Sequence, residues 1–130
     1  MSTTTAPTSA AELPAAFADR LAAGDLDGAL ALYEPGATFA PQPGAQVTGI
    51  DAIREALTQF AALHPTLDGQ VEKVLEAGDV ALVTNRWTLR GTGPDGPLEM
   101  GGVSADVMRR QPDGTWRILV DDPWGAAAAA

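Results

Sequence analysis

Asp106 and Asp121 are the residues of this sequence whose type and spacing could support acid–base chemistry. Asp106 lies in the middle of residues 102–110, GVSADVMRR, whose β-branched and apolar residues predict a strand. Because side chains alternate along a strand, Ser104, Asp106 and Met108 share one face. A carboxylate that faces a dry cavity keeps its proton to a higher pH and can act as a general acid. The role of Asp106 therefore depends on whether its face of the sheet is covered or solvated.

The turn between the last two predicted strands sets the expected pairing of these aspartates. If Pro112 and Asp113 are the central turn residues, Asp106 lies opposite Leu119, and Asp121 lies on the diagonal, about 7–8 Å away. Periodicity alone favours the other face of the hairpin as the core and leaves both aspartates in solvent. That other face carries Val103, Ala105, Val107, Trp116, Ile118 and Val120. The alternative is a sheet covered on both sides, with the aspartates facing a cavity.

Three helices are predicted ahead of the strands. Apolar residues recur at helical spacing, and caps, glycines and prolines bound the segments. The predicted helices run from Ser9 or Leu13 to Gly24, from Asp25 through Tyr33 to Glu34, and from Thr48 to Pro65. In this prediction Asp25 and Thr48 are N-caps, and Tyr33 lies on the second helix.

The rest of the chain predicts strands. A short extended piece lies at Thr38 to Ala40, and turn residues separate strands near 67–76, 80–90, 98–110 and 115–122. Helices followed by an antiparallel meander predict an α+β fold in which the helices cover one face of a curved sheet. We expect residues 1–8 to be a flexible arm, residues 9–125 to be a single domain, and residues 126–130 to be a low-complexity tail.

Composition excludes several classes of function. The chain has 130 residues and a net charge of −9, so clustered positive charge for nucleic acid or anionic membranes is not expected. It has no cysteine and one histidine, which argues against a zinc site, and no cofactor is indicated. No apolar run is long enough for a transmembrane helix and the N-terminus lacks a signal-peptide pattern, so we expect a cytoplasmic protein.

Three segments carry a resemblance to a known family. Residues 22–39 (AAGDLDGALALYEPGATF), 48–57 (TGIDAIREAL) and 104–125 (SADVMRRQPDGTWRILVDDPWG) resemble the NTF2-like superfamily. Within it the chain is most similar to SnoaL-like and DUF4440-type small proteins related to ketosteroid isomerase, over about residues 12–125. The resemblance implies a cone-shaped α+β barrel with an apolar ligand cavity, which forms a homodimer through the outer sheet face. The apolar hairpin face would then be the dimer surface, and Asp106 and Asp121 would face the cone.

The isomerase comparison carries over only in part. Ketosteroid isomerases use a carboxylate base, with a Tyr and a protonated Asp as hydrogen-bond donors to the oxyanion. Asp106 falls at the position of the protonated Asp. The Tyr position falls on Phe17, and the base position falls on Ala40 or Pro41, none of which can transfer a proton. We therefore do not expect true ketosteroid isomerase activity.

The expected site has Asp106 as the general acid and Asp121 as its partner. Asn85 and Arg86 point to opposite faces of their strand, and an inward Arg86 would lower the pKa of either acid. An arginine between two acids would also be similar to the catalytic arrangement of epoxide hydrolases of this fold. The expected ligand-binding residues are Phe17, Tyr33, Phe39, Phe60, Arg86, Met100, Ser104, Met108, Leu119 and Trp124.

Three functions remain open at this point. The first is an isomerase, cyclase or dehydratase that acts on an apolar, carbonyl-bearing substrate. The second is a non-catalytic protein that binds a small apolar ligand, and the third is a dimeric interaction module. The protonation state of Asp106 and the presence of a continuous cavity discriminate among them.

Overall fold

The protein is described by a computed structural model that covers residues 7–125. The predicted arm lies outside the described residues except for its last two positions, and the predicted tail lies wholly outside them. The helices are a 3₁₀ turn at Ala10–Glu12, α1 at Leu13–Ala22, α2 at Leu26–Leu30 and α3 at Ile50–Ala61. The strands are β1 Tyr33–Phe39, β2 Val47–Thr48, β3 Thr66–Ala77, β4 Val80–Gly93, β5 Gly96–Arg110 and β6 Trp116–Asp122.

One six-stranded sheet organises the described chain, in the order β2-β1-β6-β5-β4-β3. The predicted α+β class is confirmed. The sheet is mixed, however, and not wholly antiparallel as expected, because β1 runs parallel to β6. Parallel strands require a long connection, and here helix α3 and strands β2 to β5 lie between the two partners. The first and the last long strands of the chain are therefore neighbours.

The helix ends follow some of the local signals in the sequence and not others. Pro14 lies in the first turn of α1, and the Asp25 carboxylate caps α2 by accepting a hydrogen bond from the Gly28 amide at 2.9 Å. Thr48 is not the cap of α3, as was expected. It belongs to β2, and Gly49, whose φ of 94° suits glycine, precedes the helix instead. The edge strand β2 takes up the residue that would otherwise cap the helix.

The second helix is shorter than expected, and Tyr33 is not part of it. Helix α2 ends at Leu30, and β1 begins at Tyr33. The carbonyl of Leu32 accepts a hydrogen bond from the Ile118 amide at 2.7 Å, which ties this point of the chain to β6. Tertiary pairing with a strand more than eighty residues away overrides the helical spacing of Leu26, Leu30 and Tyr33.

A β-bulge at Leu119 sets the register of the last hairpin. Val107 pairs with Val120, whereas Met108 pairs with Ile118, so Leu119 is an extra residue on β6. Asp106 therefore lies directly opposite Asp121, and not opposite Leu119 as expected. The extra residue shifts the alternation of β6 by one position, so that Ile118 and Asp121 both point to the inner face.

The core lies between the helices and the inner sheet face. Leu13, Ile53 and Leu57 of the helices are at most 1% exposed, and Val83 and Met108 cover the sheet side. Trp116 and Ile118 are each 4% exposed and belong to this core, which corrects their expected place on the outer face. Burial of this apolar set provides the main driving force for the packing of the helices on the sheet.

The outer sheet face carries an apolar row across four strands. Leu75, Leu82, Val107 and Val120 are successive cross-strand partners on β3, β4, β5 and β6. Leu75 is 57% exposed and Leu82 is 38% exposed. Val80, next to this row, is 39% exposed. Within residues 7–125, no helix is long and apolar enough to cross a membrane.

Candidate functional site

A cavity of about 310 Å³ lies between the helices and the inner sheet face. Its apolar walls come from α1, β1, α3 and β4, and include Phe17, Phe39, Leu57, Phe60, Trp87 and Leu89. Four polar residues of β4, β5 and β6 line the cavity as well, namely Asn85, Ser104, Asp106 and Asp121. The exposed side chains of Asp19 and Asp68 complete the polar lining. An apolar chamber with a few polar groups on one wall is typical of a small-molecule site.

The two carboxylates of Asp106 and Asp121 form the centre of the polar wall. Asp106 is 6% exposed. Its Oδ2 accepts a hydrogen bond from the Ser104 hydroxyl at 2.9 Å, and its Oδ1 accepts one from the Asp122 amide at 3.1 Å. Strand pairing holds the backbones of the two acids directly opposite each other, so their side chains lie side by side on the inner face. We refer to Asp106 and Asp121 as the carboxyl pair.

Tyr33 extends the carboxyl pair into a buried hydrogen-bond chain. The Tyr33 hydroxyl donates to Oδ2 of Asp121 at 2.5 Å, and the residue is only 1% exposed. The Phe17 ring packs edge-on against the Tyr33 ring, with centroids 5.9 Å apart. The chain therefore runs from Tyr33 to Asp121, to Asp106 and to Ser104. Only its middle and its Ser104 end line the cavity, while Tyr33 lies behind the wall.

Burial and mutual proximity hold a proton on the carboxyl pair. Desolvation, followed by the neighbouring Asp121 charge, raises the pKa of Asp106 well above its usual value. Desolvation also raises the pKa of Asp121, but the hydrogen bonds that it accepts from Tyr33 and Asp106 oppose that increase. Asp106 is therefore the member that keeps its proton, and Asp121 is the acceptor. Burial and the Asp121 charge also raise the pKa of Tyr33, so the phenol stays protonated.

Six of the ten predicted ligand-binding residues line the cavity, and four do not. Those that do are Phe17, Phe39, Phe60, Ser104, Met108 and Trp124. Arg86 lies on the outer face, where its Nε is 3.0 Å from the Glu72 carboxylate, so it does not stand between the two acids. The arginine on which the expected likeness to epoxide hydrolases depended therefore does not lie in the site. Met100 lies further along β5, and Leu119 is the bulge residue.

Sequence reasoning left the Asn85 side chain unplaced and did not select Trp87 as lining. Pairing of Gly93 with Gly96 across the Pro94–Asp95 turn puts Asn85 opposite Ser104, on the inner face. That turn is recognisable in the sequence, so the pairing of β4 with β5, and with it the inward direction of Asn85, could have been predicted. The Trp87 indole donates to the Pro123 carbonyl at 2.6 Å, and its ring contacts that of Trp124 with centroids 5.4 Å apart. This long-range pair has no local signal.

Residues 7–125 hold no group of three or more His, Asp or Glu residues that could bind a metal ion. The acidic residues of the site are tied to tyrosine, serine and backbone donors, as described above. The polar groups that the buried wall presents to the cavity are the carboxyl pair, the Ser104 hydroxyl and the Asn85 amide.

Sequence and structure comparisons identify what the chain is similar to. The profile of the SnoaL-like domain matches residues 15–118. No protein with a curated description matches the sequence. The match confirms the resemblance to SnoaL-like proteins that the sequence segments indicate, while the likeness to DUF4440-type proteins stays a prediction.

Solved structures share the fold at low sequence identity. An NTF2-like protein with a cystatin-like fold from Novosphingobium aromaticivorans is 21% identical, with a TM-score of 0.71, and the match covers 92% of this chain and 83% of that one. A provisionally assigned scytalone dehydratase from the same organism is 15% identical, with a TM-score of 0.73 and coverage of 85% and 76%. A provisionally assigned NTF2-like dehydratase from Streptomyces avermitilis is 21% identical, with a TM-score of 0.67 and coverage of 84% and 88%. At these identities the likeness establishes the fold alone.

Proposed function

We propose that this protein, which belongs to the SnoaL-like domain family, binds a small, mostly apolar carbonyl compound and catalyses a proton-transfer reaction on it. The reaction class is dehydration or isomerisation, with Asp106 as general acid and Asp121 as general base. The observation that carries the proposal is the placement of two directly opposed carboxylates on the wall of an otherwise apolar cavity. The names of the two dehydratase-like neighbours agree with this reaction class.

The carboxyl pair can supply both proton transfers of a dehydration. Asp121 removes a proton from the carbon next to the carbonyl, while Asp106 gives its proton to the carbonyl oxygen, so that an enol forms. The enol proton then returns to Asp106 and the carbonyl re-forms, while the carbon–oxygen bond of the leaving hydroxyl breaks and that hydroxyl takes the proton from Asp121 and departs as water. A carbon–carbon double bond has formed, and both carboxyl groups are in their starting states. Tyr33 stabilises the charge on Asp121 through its hydrogen bond.

The charge of the lining favours a neutral ligand. None of the described residues that line the cavity is Lys, Arg or His, whereas four are aspartates: Asp19, Asp68, Asp106 and Asp121. A carboxylate or phosphate group at the polar wall would face like charge without a cationic partner, which is unfavourable at low dielectric. A ketone, an enone or an alcohol incurs no such cost.

Non-catalytic binding of the same ligand class is the second candidate. Two residues favour it, because they cannot transfer a proton. Ala40 or Pro41 stands at the position that corresponds to the isomerase base, and Phe17 stands at the position of the isomerase tyrosine. In this version the carboxyl pair donates a hydrogen bond to a bound oxygen without transferring the proton. We further propose that the protein forms a homodimer through the outer apolar row, where two exposed leucines would be covered.

The decisive experiment is the pKa of Asp106, measured by carboxyl-carbon NMR titration. We expect a pKa well above that of an ordinary aspartate, because Asp106 is buried and Asp121 is adjacent. An Asp106 value near about 4 would contradict both the general-acid role and the hydrogen-bond donor role.

A further inference from the structure

We propose that the side-chain amide of Asn85 binds the ligand, and that it donates a hydrogen bond to the same carbonyl oxygen that Asp106 approaches. This inference rests on the proposed function and deepens it, because it assigns the orientation of the ligand. Asn85 would then be a specificity-determining residue that favours carbonyl compounds over hydrocarbons of the same shape.

The Asn85 amide has no partner within the described part of the protein. Among residues 7–125 it takes part in no side-chain hydrogen bond, although it lies half-buried on the cavity wall. Its neighbours along the inner face of β4 are Val83 and Trp87, which offer it no acceptor. A polar group in such surroundings costs free energy unless water or a ligand satisfies it. The vacant donors of Asn85 are therefore available to a ligand.

A glycine on the neighbouring strand makes room for this amide. Gly69 of β3 lies beneath the side chain, and a Cβ atom there would be 3.0 Å from Nδ2 and 3.1 Å from Oδ1 of Asn85. Glycine weakens a strand interior, and such a position often marks a close approach of a side chain or a ligand. The pairing of Gly69 with Trp87 places this gap inside the cavity lining.

The strand register brings Asn85 and the carboxyl pair to the same end of the cavity. Asn85 is the direct cross-strand partner of Ser104, whose hydroxyl binds Asp106. Asp106 pairs with Val83, so Asn85 and Asp106 are diagonal neighbours on one face, about 7–8 Å apart at the backbone. A carbonyl oxygen between them can accept one hydrogen bond from the Asn85 amide and one from the Asp106 carboxyl group. Two such donors would also stabilise negative charge that develops on that oxygen.

The test compares two ligands that differ only in the carbonyl group. The affinities of 2-acetylnaphthalene and 2-ethylnaphthalene are measured by NMR titration against the native protein and the Asn85→Leu variant. We expect the ketone to bind the variant roughly three- to tenfold more weakly, as for the loss of one neutral hydrogen bond. The hydrocarbon should bind both proteins equally or bind the variant more tightly. Thr84→Val, an adjacent substitution on the other face of β4, should change neither affinity.

Each outcome of this test is decisive. Equal losses for both ligands would mean that Asn85 only shapes the cavity, which overturns the inference and leaves the proposed function intact. Failure of both ligands to bind the native protein would overturn the proposed function and the inference with it. If Asn85→Leu does not fold, Asn85→Ala also removes the amide donors, and the same loss of ketone binding relative to hydrocarbon binding is expected. In the native protein the Asn85 side-chain amide signal should shift with the ketone and not with the hydrocarbon.

Discussion

Replacement of Tyr33 by Phe tests the charge that the site places on Asp121. The substitution removes one buried hydroxyl, which donates to Oδ2 of Asp121, and leaves the ring in its contact with Phe17. As the proposed general base, Asp121 is ionised at pH 7, and a hydrogen bond to a charged group contributes about 1.5–3 kcal/mol to stability. At pH 3 the acceptor is protonated, and the same hydroxyl contributes about 0.5–1.5 kcal/mol.

The expected signature is a loss of stability that grows with pH. Tyr33 lowers the pKa of Asp121, against the raising effect of burial, so its removal raises that pKa further. The free energy of unfolding should fall by about 2 kcal/mol at pH 7 and by about 1 kcal/mol at pH 3. With a urea m-value of about 2 kcal/mol per M, the midpoint shifts by about 1 M and 0.5 M respectively.

Urea titrations of the native protein and the Tyr33→Phe variant between pH 3 and pH 7 provide the measurement. Thr38→Val is the matched control on the same strand, since its hydroxyl lies 3.0 Å from the Thr48 hydroxyl and meets no carboxylate. Its small effect should not depend on pH. If the loss of stability in Tyr33→Phe is also independent of pH, the view that this hydroxyl stabilises a charged Asp121 is refuted.

Three further predictions follow from other parts of the structure. The stability of the native protein relative to Asp106→Asn should fall as pH rises above about 4, by up to about 1.4 kcal/mol per pH unit. The reason is that Asp106 keeps a proton in the folded state that it loses in the unfolded chain. A difference in urea midpoint between the two proteins that stays constant with pH would contradict this. Gly91→Ala should destabilise the protein by about 1–3 kcal/mol, since the added Cβ would lie 2.7 Å from the Leu63 carbonyl oxygen. Gly36→Ala, whose Cβ would have no atom within 4 Å, should be nearly neutral. Equal changes in melting temperature for the two variants would contradict the steric argument. Val107→Lys, in the centre of the outer apolar row, should convert a dimer to a monomer in sedimentation, and a sedimentation profile identical to that of the native protein would reject that interface.

Local patterns in the sequence were sufficient for most elements of the fold. Proline at the start of α1, the Asp25 cap and the turn residues between strands each act over a few positions, so they can be read without the rest of the chain. The class of the fold follows from the order of those elements. The length of α2 could not be read in this way, because β6 decides where the helix gives way to β1.

The face of the sheet on which Asp106 lies followed from alternation, but its partner did not. A bulge residue such as Leu119 has no distinctive type, and its insertion moves Asp121 from the diagonal to the direct pairing position. Tyr33 joined the site only through the parallel pairing of β1 with β6, which no neighbouring residue encodes. Long-range register therefore decided which side chains met, and periodicity alone could not supply it.

The parallel pairing of β1 with β6 has a consequence for the order of assembly during synthesis. A chain that emerges from the ribosome in sequence order exposes the edge of Tyr33–Phe39 until Trp116–Asp122 has also emerged. Closure over such a separation is entropically costly and slow, so this strand pair forms late. The nascent polypeptide thus completes its helices and central hairpins before Asp121 can reach Tyr33 and Asp106. The carboxyl pair is therefore the last part of the candidate site to assemble, and a chain released before Trp116 would lack Asp121.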